Sequence, residues 1–160
     1  MTGGRRLRWL AAYALPPAAW AGVIFWLSSR TAAEATRYLG PTGGVPLLSE
    51  AVHFGEYFIL SFLLYRLAAT AGTATSDPPR ARPGELRDLL VANLTGFATF
   101  LYAVSDEVHQ SFVPGRTFSV VDLAVDLAGA VAGVAASWAL IYHRRACRNG
   151  TRTGTRSALG

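Results

Sequence analysis

Four stretches of the chain, about 9–28, 51–69, 88–107 and 117–142, are apolar at nearly every position. Roughly 20 such residues in a helix cross about 30 Å of hydrocarbon, so the pattern predicts an all-α protein built as a four-helix transmembrane bundle. The connections carry helix breakers. Residues 29–50 contain Gly40-Pro41, Gly43-Gly44 and Pro46, and residues 70–86 contain Asp77-Pro78-Pro79 and Arg82-Pro83-Gly84. The third connection is short: Phe112-Val113-Pro114-Gly115-Arg116 places proline and glycine at the two central positions of a type II turn, which makes helices three and four an antiparallel pair. Pro16-Pro17 predicts a kink in the first span, tolerated inside a membrane helix. The expected organisation is a transmembrane domain over 1–143 followed by a basic, disordered cytoplasmic tail over 144–160.

Composition supports lipid as the solvent. The chain is 51% hydrophobic and 16% charged, against about a quarter charged in soluble domains. A net charge of +5 would suggest nucleic acid as the partner of a soluble protein. In an apolar chain the same charge belongs in cytoplasmic loops, so no nucleic-acid partner is expected. All fifteen basic residues are arginine, and their placement orients the bundle. With the N-terminus inside, Arg5, Arg6, Arg8, Arg66, Arg80, Arg82, Arg87, Arg144, Arg145, Arg148, Arg152 and Arg156 fall on the cytoplasmic side, leaving Arg30, Arg37 and Arg116 outside. Both termini are therefore expected in the cytoplasm. The single cysteine, Cys147, excludes a disulfide framework and a thiolate metal site.

That orientation collects the ionisable residues of the spans at one depth. His53, Glu56 and Tyr57 begin helix two, Asp106, Glu107, His109 and Gln110 end helix three, and Arg116, Asp122 and Asp126 begin helix four. Five of the ten acidic residues belong to this set, although a carboxylate in a bilayer is costly unless paired or wetted. His53 and Glu56 are spaced i, i+3, as are Asp106 and His109, so each pair shares a helix face. Asp122, Asp126, Gly129 and Gly133 form one stripe of helix four, and the two glycines allow close approach of another helix, which turns both aspartates inward.

An ion-pair network accounts for part of this, but five carboxylates outnumber one arginine and two histidines. The surplus favours a bound cation, a shared proton or a cationic ligand. The candidate catalytic residues are His53, Glu56, Asp106, Glu107, His109, Arg116 and Asp122, with His109 as a general base oriented by Asp106 or Glu107 and Arg116 as the holder of a headgroup phosphate or carboxylate. Tyr57, Gln110, Arg116 and Asp126 are candidate ligand-binding residues. His53, Glu56, Asp106, Glu107, His109 and Asp122 are candidate ligands of a divalent metal such as zinc, manganese or iron, though their spacing is neither the Glu-x-x-His of di-iron bundles nor the His-Glu-x-x-His of zinc proteases. Trp9, Trp20, Trp26, Trp138, Tyr65 and Tyr142 are expected in interface belts, Asn93 as interhelical glue, and His143 simply solvated.

The string from Ser105-Asp106-Glu107 through His109-Gln110 to Phe112, Pro114, Gly115 and Arg116, preceded by His53, Glu56 and Tyr57 and followed by Asp122, Gly129 and Gly133, resembles the VanZ-like family. Phe25-Trp26-Leu27-Ser28-Ser29 is similar to that family's end of helix one, and the resemblance spans about 20–140. It implies a bacterial inner-membrane protein of the cell envelope, in a family named after an accessory protein that raises resistance to the glycopeptide teicoplanin. The chain departs from the family at Asp126, where asparagine is usual. The resemblance supplies a location and a phenotype but no reaction. The functions it leaves open are a hydrolase or transferase acting on a lipid-linked or phospholipid substrate at the outer leaflet, a non-enzymatic accessory protein that binds a lipid or cell-wall precursor, and a small ion-coupled transporter.

Overall fold

The computed structural model describes residues 3–31, 33, 34, 37, 46–71 and 86–157, with the side chains at 46, 47 and 145–157 excepted. The described residues form helices and turns with no strand. We number the helices α1 (Gly3–Ser28), α2 (Pro46–Ala71), α3 (Leu86–Gln110) and α4 (Val120–Ser157). Most of the loop expected over 29–50 and nearly all of that over 70–86 lie outside the described residues.

Three of the four helices, α1, α3 and α4 as far as Arg144, are long and apolar enough to cross a membrane. The second is long enough, at 26 residues. Its polar load of His53, Glu56 and Arg66 lowers its apolar character. Two boundaries differ from expectation. α2 begins at Pro46, because a proline is tolerated in the first turn, where its missing N–H would have had no partner. α4 continues to Ser157, so most of the stretch expected as a disordered tail is a continuation of the last helix.

The double proline acts one turn earlier than a simple kink. Residues Leu10–Ala14 form a π-helical turn, closed by the Leu15 N–H donating to the Leu10 carbonyl, and Pro16 and Pro17 then occupy the first positions of the α-helical segment that follows. Pro16 and Pro17 have no N–H to offer the carbonyls of the preceding turn, and the wider turn falls where those donors are missing. At the other end of α1, Thr31 and Glu34 form a reciprocal capping box, with the Thr31 N–H on the Glu34 carboxylate at 3.0 Å and the Glu34 N–H on Thr31 Oγ1 at 3.2 Å. The bond from the Thr31 backbone holds the Glu34 carboxyl below its ordinary range.

Packing centres on α2 and α4. A Cβ on Gly129 would meet the Phe54 carbonyl, and one on Gly133 would meet Ser61 Oγ and the Phe58 carbonyl, so these glycines let the two backbones touch as their spacing predicts. Ile24, Tyr57, Leu60 and Ala103 form the buried apolar layer where α1, α2 and α3 meet. Tyr102 donates to the Ala21 carbonyl at 2.7 Å and Trp20 to the Glu56 carbonyl at 2.9 Å, tying α1 to its neighbours.

Not every aromatic lies in an outer belt. Trp26 and Trp138 are exposed, the former under the Arg30 guanidinium, but Trp20 makes an interior bond and Tyr65 is buried. Asn93 donates to the Leu89 carbonyl of its own helix rather than to another helix. His143 is exposed, as its arginine-rich neighbourhood predicted.

The α3–α4 connection is a type II turn: Arg116 N–H donates to the Val113 carbonyl at 3.0 Å, and Gly115 sits at φ 79°. Gly115→Ala places a Cβ in that left-handed conformation and should cost about 1 kcal/mol. Thermal unfolding of the detergent-solubilised variant, beside a Pro114→Ala control that needs no positive φ, measures it.

Candidate functional site

The antiparallel order brings the end of α1, the early turns of α2, the end of α3 and the start of α4 to one end of the bundle. The polar side chains there sort into three groups.

The innermost is a trio. His53 Nδ1 lies 3.1 Å from Asp126 Oδ1, and Glu107 joins them so that one ligand atom from each residue lies within 4.8 Å of the others. Helix periodicity explains the meeting: Asp126 is one turn from Gly129, where α4 touches α2, and His53 is next to Phe54 on the opposite side of that contact. All three are buried, and Glu107 and Asp126 are wholly so. Glu107 Oε2 accepts the Ser119 N–H at 2.9 Å, while Glu107 Oε1 and Asp126 Oδ2 have no hydrogen-bond partner among the described residues. Buried carboxylate oxygens without partners are costly, so this arrangement persists only if something else compensates them.

The second group is a relay. Asp106 Oδ2 accepts Ser28 Oγ at 2.8 Å and Gln110 Nε2 at 3.1 Å, Gln110 Oε1 accepts Arg116 Nη1 at 2.8 Å, and Arg116 Nε donates to the Arg30 carbonyl at 3.2 Å. Arg116 thus reaches Asp106 through Gln110, and no direct arginine–carboxylate pair forms among the described residues. Two of its five N–H donors are used in these bonds, and the guanidinium is half-buried.

His109 stands apart from both carboxylates expected to orient it. Its ring packs on Phe25 at 4.7 Å between centroids, and Nε2 lies 3.1 Å from Ser29 Oγ. The Ser29 hydroxyl proton is committed to the Phe25 carbonyl at 2.7 Å, so Ser29 accepts from Nε2–H and a neutral His109 keeps its lone pair on Nδ1. Asp106 is held instead by Ser28 and Gln110, and Glu107 by Ser119, because both carboxylates lie on the buried face of α3 while His109 is only half-buried.

The remaining candidates have other places. Asp122 is half-buried in the first turn of α4, where its N–H donates to Ser119 Oγ at 3.1 Å. Glu56 is buried beside the trio, and the buried Tyr57 hydroxyl approaches the Asp106 carboxylate without closing a well-formed hydrogen bond. Next to the acids lies the buried apolar layer of Ile24, Tyr57, Leu60 and Ala103.

Sequence reasoning singled out Asp126 only as a ligand-binding residue, whereas it belongs to the trio that could hold a metal. The signal was its place on the inward stripe with Gly129 and Gly133. Ser28 and Ser29 appeared only as a marker of the end of helix one, and Ser119 not at all. The Ser119-Val-Val-Asp122 pattern, a helix start with an acid at the third position, was the available clue for the last.

Apolar helices surrounding a buried cluster of acids and histidine at one end define a multi-pass α-helical membrane protein. The family model described as VanZ/LLP1 matches residues 10–142, and the chain belongs to the VanZ-like family. No curated protein and no solved structure matched the chain.

Proposed function

We propose that this protein is a cell-envelope hydrolase or transferase acting on the headgroup of a phospholipid or lipid-linked cell-wall precursor at the outer leaflet of the inner membrane. In this reading all four helices cross the bilayer, with both termini in the cytoplasm. At 1.5 Å per residue the 26 residues of α2 reach about 39 Å, more than the hydrocarbon thickness. The polar residues His53 and Glu56 that lower its apolar character face the bundle rather than lipid. The twelve arginines assigned to the cytoplasm support the orientation.

The observation that carries the reading is the presence, at one end of the bundle, of a half-buried histidine whose Nε2 is engaged by Ser29, which leaves Nδ1 as the base of the neutral ring, and of an arginine with donors beyond its two described bonds. Arg116 would hold the anionic oxygens of the headgroup. His109 Nδ1 would take a proton from water, or from an acceptor hydroxyl in a transfer, as that oxygen bonds to phosphorus. The imidazolium would return the proton to the departing alkoxide, leaving His109 neutral for the next cycle. A link to glycopeptide resistance follows if the product is a lipid-linked precursor.

Expression of the chain in a bacterial host, with mass spectrometry of membrane lipids and measurement of teicoplanin susceptibility, tests this. The wild type should yield a modified lipid. His109→Ala should lower its formation by about 100-fold with the protein still in the membrane, and Arg116→Ala should weaken it too. Undiminished product from His109→Ala rejects the chemistry. A lipid that copurifies and is recovered unchanged points instead to an accessory protein that binds its precursor without turnover.

A further inference from the structure

His53, Glu107 and Asp126 make an unusual interior if nothing joins them. Each comes from a different helix, so their meeting is a product of the α2–α4 and α3–α4 contacts rather than of local sequence. One imidazole faces two carboxylates, and each of the carboxylates keeps an oxygen that no donor among the described residues satisfies. Glu56 and Asp106 are buried nearby, and Asp106 has its own donors in Ser28 and Gln110. A protonated His53 would satisfy Asp126 Oδ1 but would leave Asp126 Oδ2 and Glu107 Oε1 without partners. A cation placed among the three would satisfy both residues at once.

We propose that His53, Glu107 and Asp126 form a binding site for one divalent ion of the Zn2+ or Mn2+ class. The chemistry of the donors sets the class. An imidazole nitrogen as one of three protein ligands disfavours Ca2+ and Mg2+, which take oxygen, and the lack of thiolate disfavours softer ions. Three protein ligands leave coordination positions open, as in catalytic rather than structural zinc sites.

The dimensions are compatible after a small closure. Ligand distances of about 2.0–2.2 Å put tetrahedral donors roughly 3.4 Å apart. The His53–Asp126 separation of 3.1 Å is already near that value, while the trio as a whole spans up to 4.8 Å. A shift of about an ångström in the Glu107 side chain completes the set. The Ser119 N–H on Glu107 Oε2 would then act as an outer-shell bond that aims the carboxylate. The site does not depend on the headgroup reading, since the trio would hold its ion whether the chain modifies a ligand or only binds one.

The full-length protein, purified in detergent, stripped with a chelator and equilibrated with Zn2+ or Mn2+ alone, tests the site by its metal content. We expect one ion per chain, bound at least tenfold more weakly by Glu107→Gln and by Asp126→Asn. Cys147→Ser and His143→Ala, which remove the other soft or nitrogen donors of the C-terminal stretch, should leave it unchanged. Absence of bound ion, binding indifferent to both carboxylate substitutions, or binding lost with Cys147→Ser overturns the proposal. If the carboxylate variants fail to fold, the visible spectrum of the Co2+-loaded wild type decides: bands of nitrogen and oxygen coordination support the trio, and thiolate charge transfer or no band rejects it. His109→Ala and Arg116→Ala should bind the ion normally, so a failed metal site and a failed headgroup reading give different results.

Discussion

Gly133→Leu should prevent the bundle from forming, and even Gly133→Ala should lower stability by about 2–3 kcal/mol, at the upper end of ordinary overpacking. A Cβ at this position would run into the Phe58 carbonyl and Ser61 Oγ of α2, and one at Gly129 into the Phe54 carbonyl. The serine hydroxyl can rotate away. The carbonyls cannot, because each is fixed in the hydrogen-bond ladder of its own helix, so relief requires moving α2 bodily from α4. That movement also separates His53 from Asp126, and loss of function should accompany loss of stability. Gly96 supplies the control: nothing lies within 4 Å of its added Cβ, and Gly96→Ala should be neutral or gain up to about 1 kcal/mol through helix propensity. Thermal or denaturant unfolding followed by circular dichroism gives both numbers. A stable Gly133→Leu protein would show that the α2–α4 contact is not made at this stripe.

The second large effect concerns the buried pair. His53→Leu should destabilise the protein by about 3 kcal/mol, because it leaves the Asp126 carboxylate enclosed with neither oxygen partnered. The double variant His53→Leu/Asp126→Leu should recover most of that loss, since two apolar side chains need no compensation in the interior. Measuring the cycle with a chelator present confines it to the protein groups themselves. Equal stability of the two variants would mean that water or a shifted backbone already relieves Asp126. The single Asp126→Leu variant completes the cycle and separates the pair energy from the packing of each leucine.

Much of the bundle was legible because lipid imposes simple requirements on a chain. Backbone groups in hydrocarbon must be satisfied within a helix, so an apolar run of sufficient length reads directly as one. Pro114-Gly115 was equally legible, since a type II turn needs the positive φ that glycine supplies. The boundaries were less so: α2 starts before the apolar run and α4 continues beyond it, because polar residues prolong a helix without an apolar face to announce them. The interior tryptophan and tyrosine escaped the belt rule for a related reason. Trp20 and Tyr65 are amphipathic in any setting, and only their neighbours decide whether an interior carbonyl or a headgroup takes the polar atom.

The candidate site divides along the same line. Sequence by itself determined that His53, Glu56, Asp106, Glu107, His109, Arg116, Asp122 and Asp126 share one end of the bundle, since helix direction and periodicity are one-dimensional properties. It also determined that α4 approaches another helix closely, through two glycines one turn apart, while the structure showed that this helix is α2. Only the tertiary structure decided the partners. Asp106 went to Ser28 and Gln110, Arg116 to Gln110 rather than to an acid, His109 to Ser29 and Phe25, and Glu107 with Asp126 to His53. The physical reason is that depth along a helix follows from position in the chain, while a contact between helices depends on rotation and crossing, which are set by the packing of all the faces together.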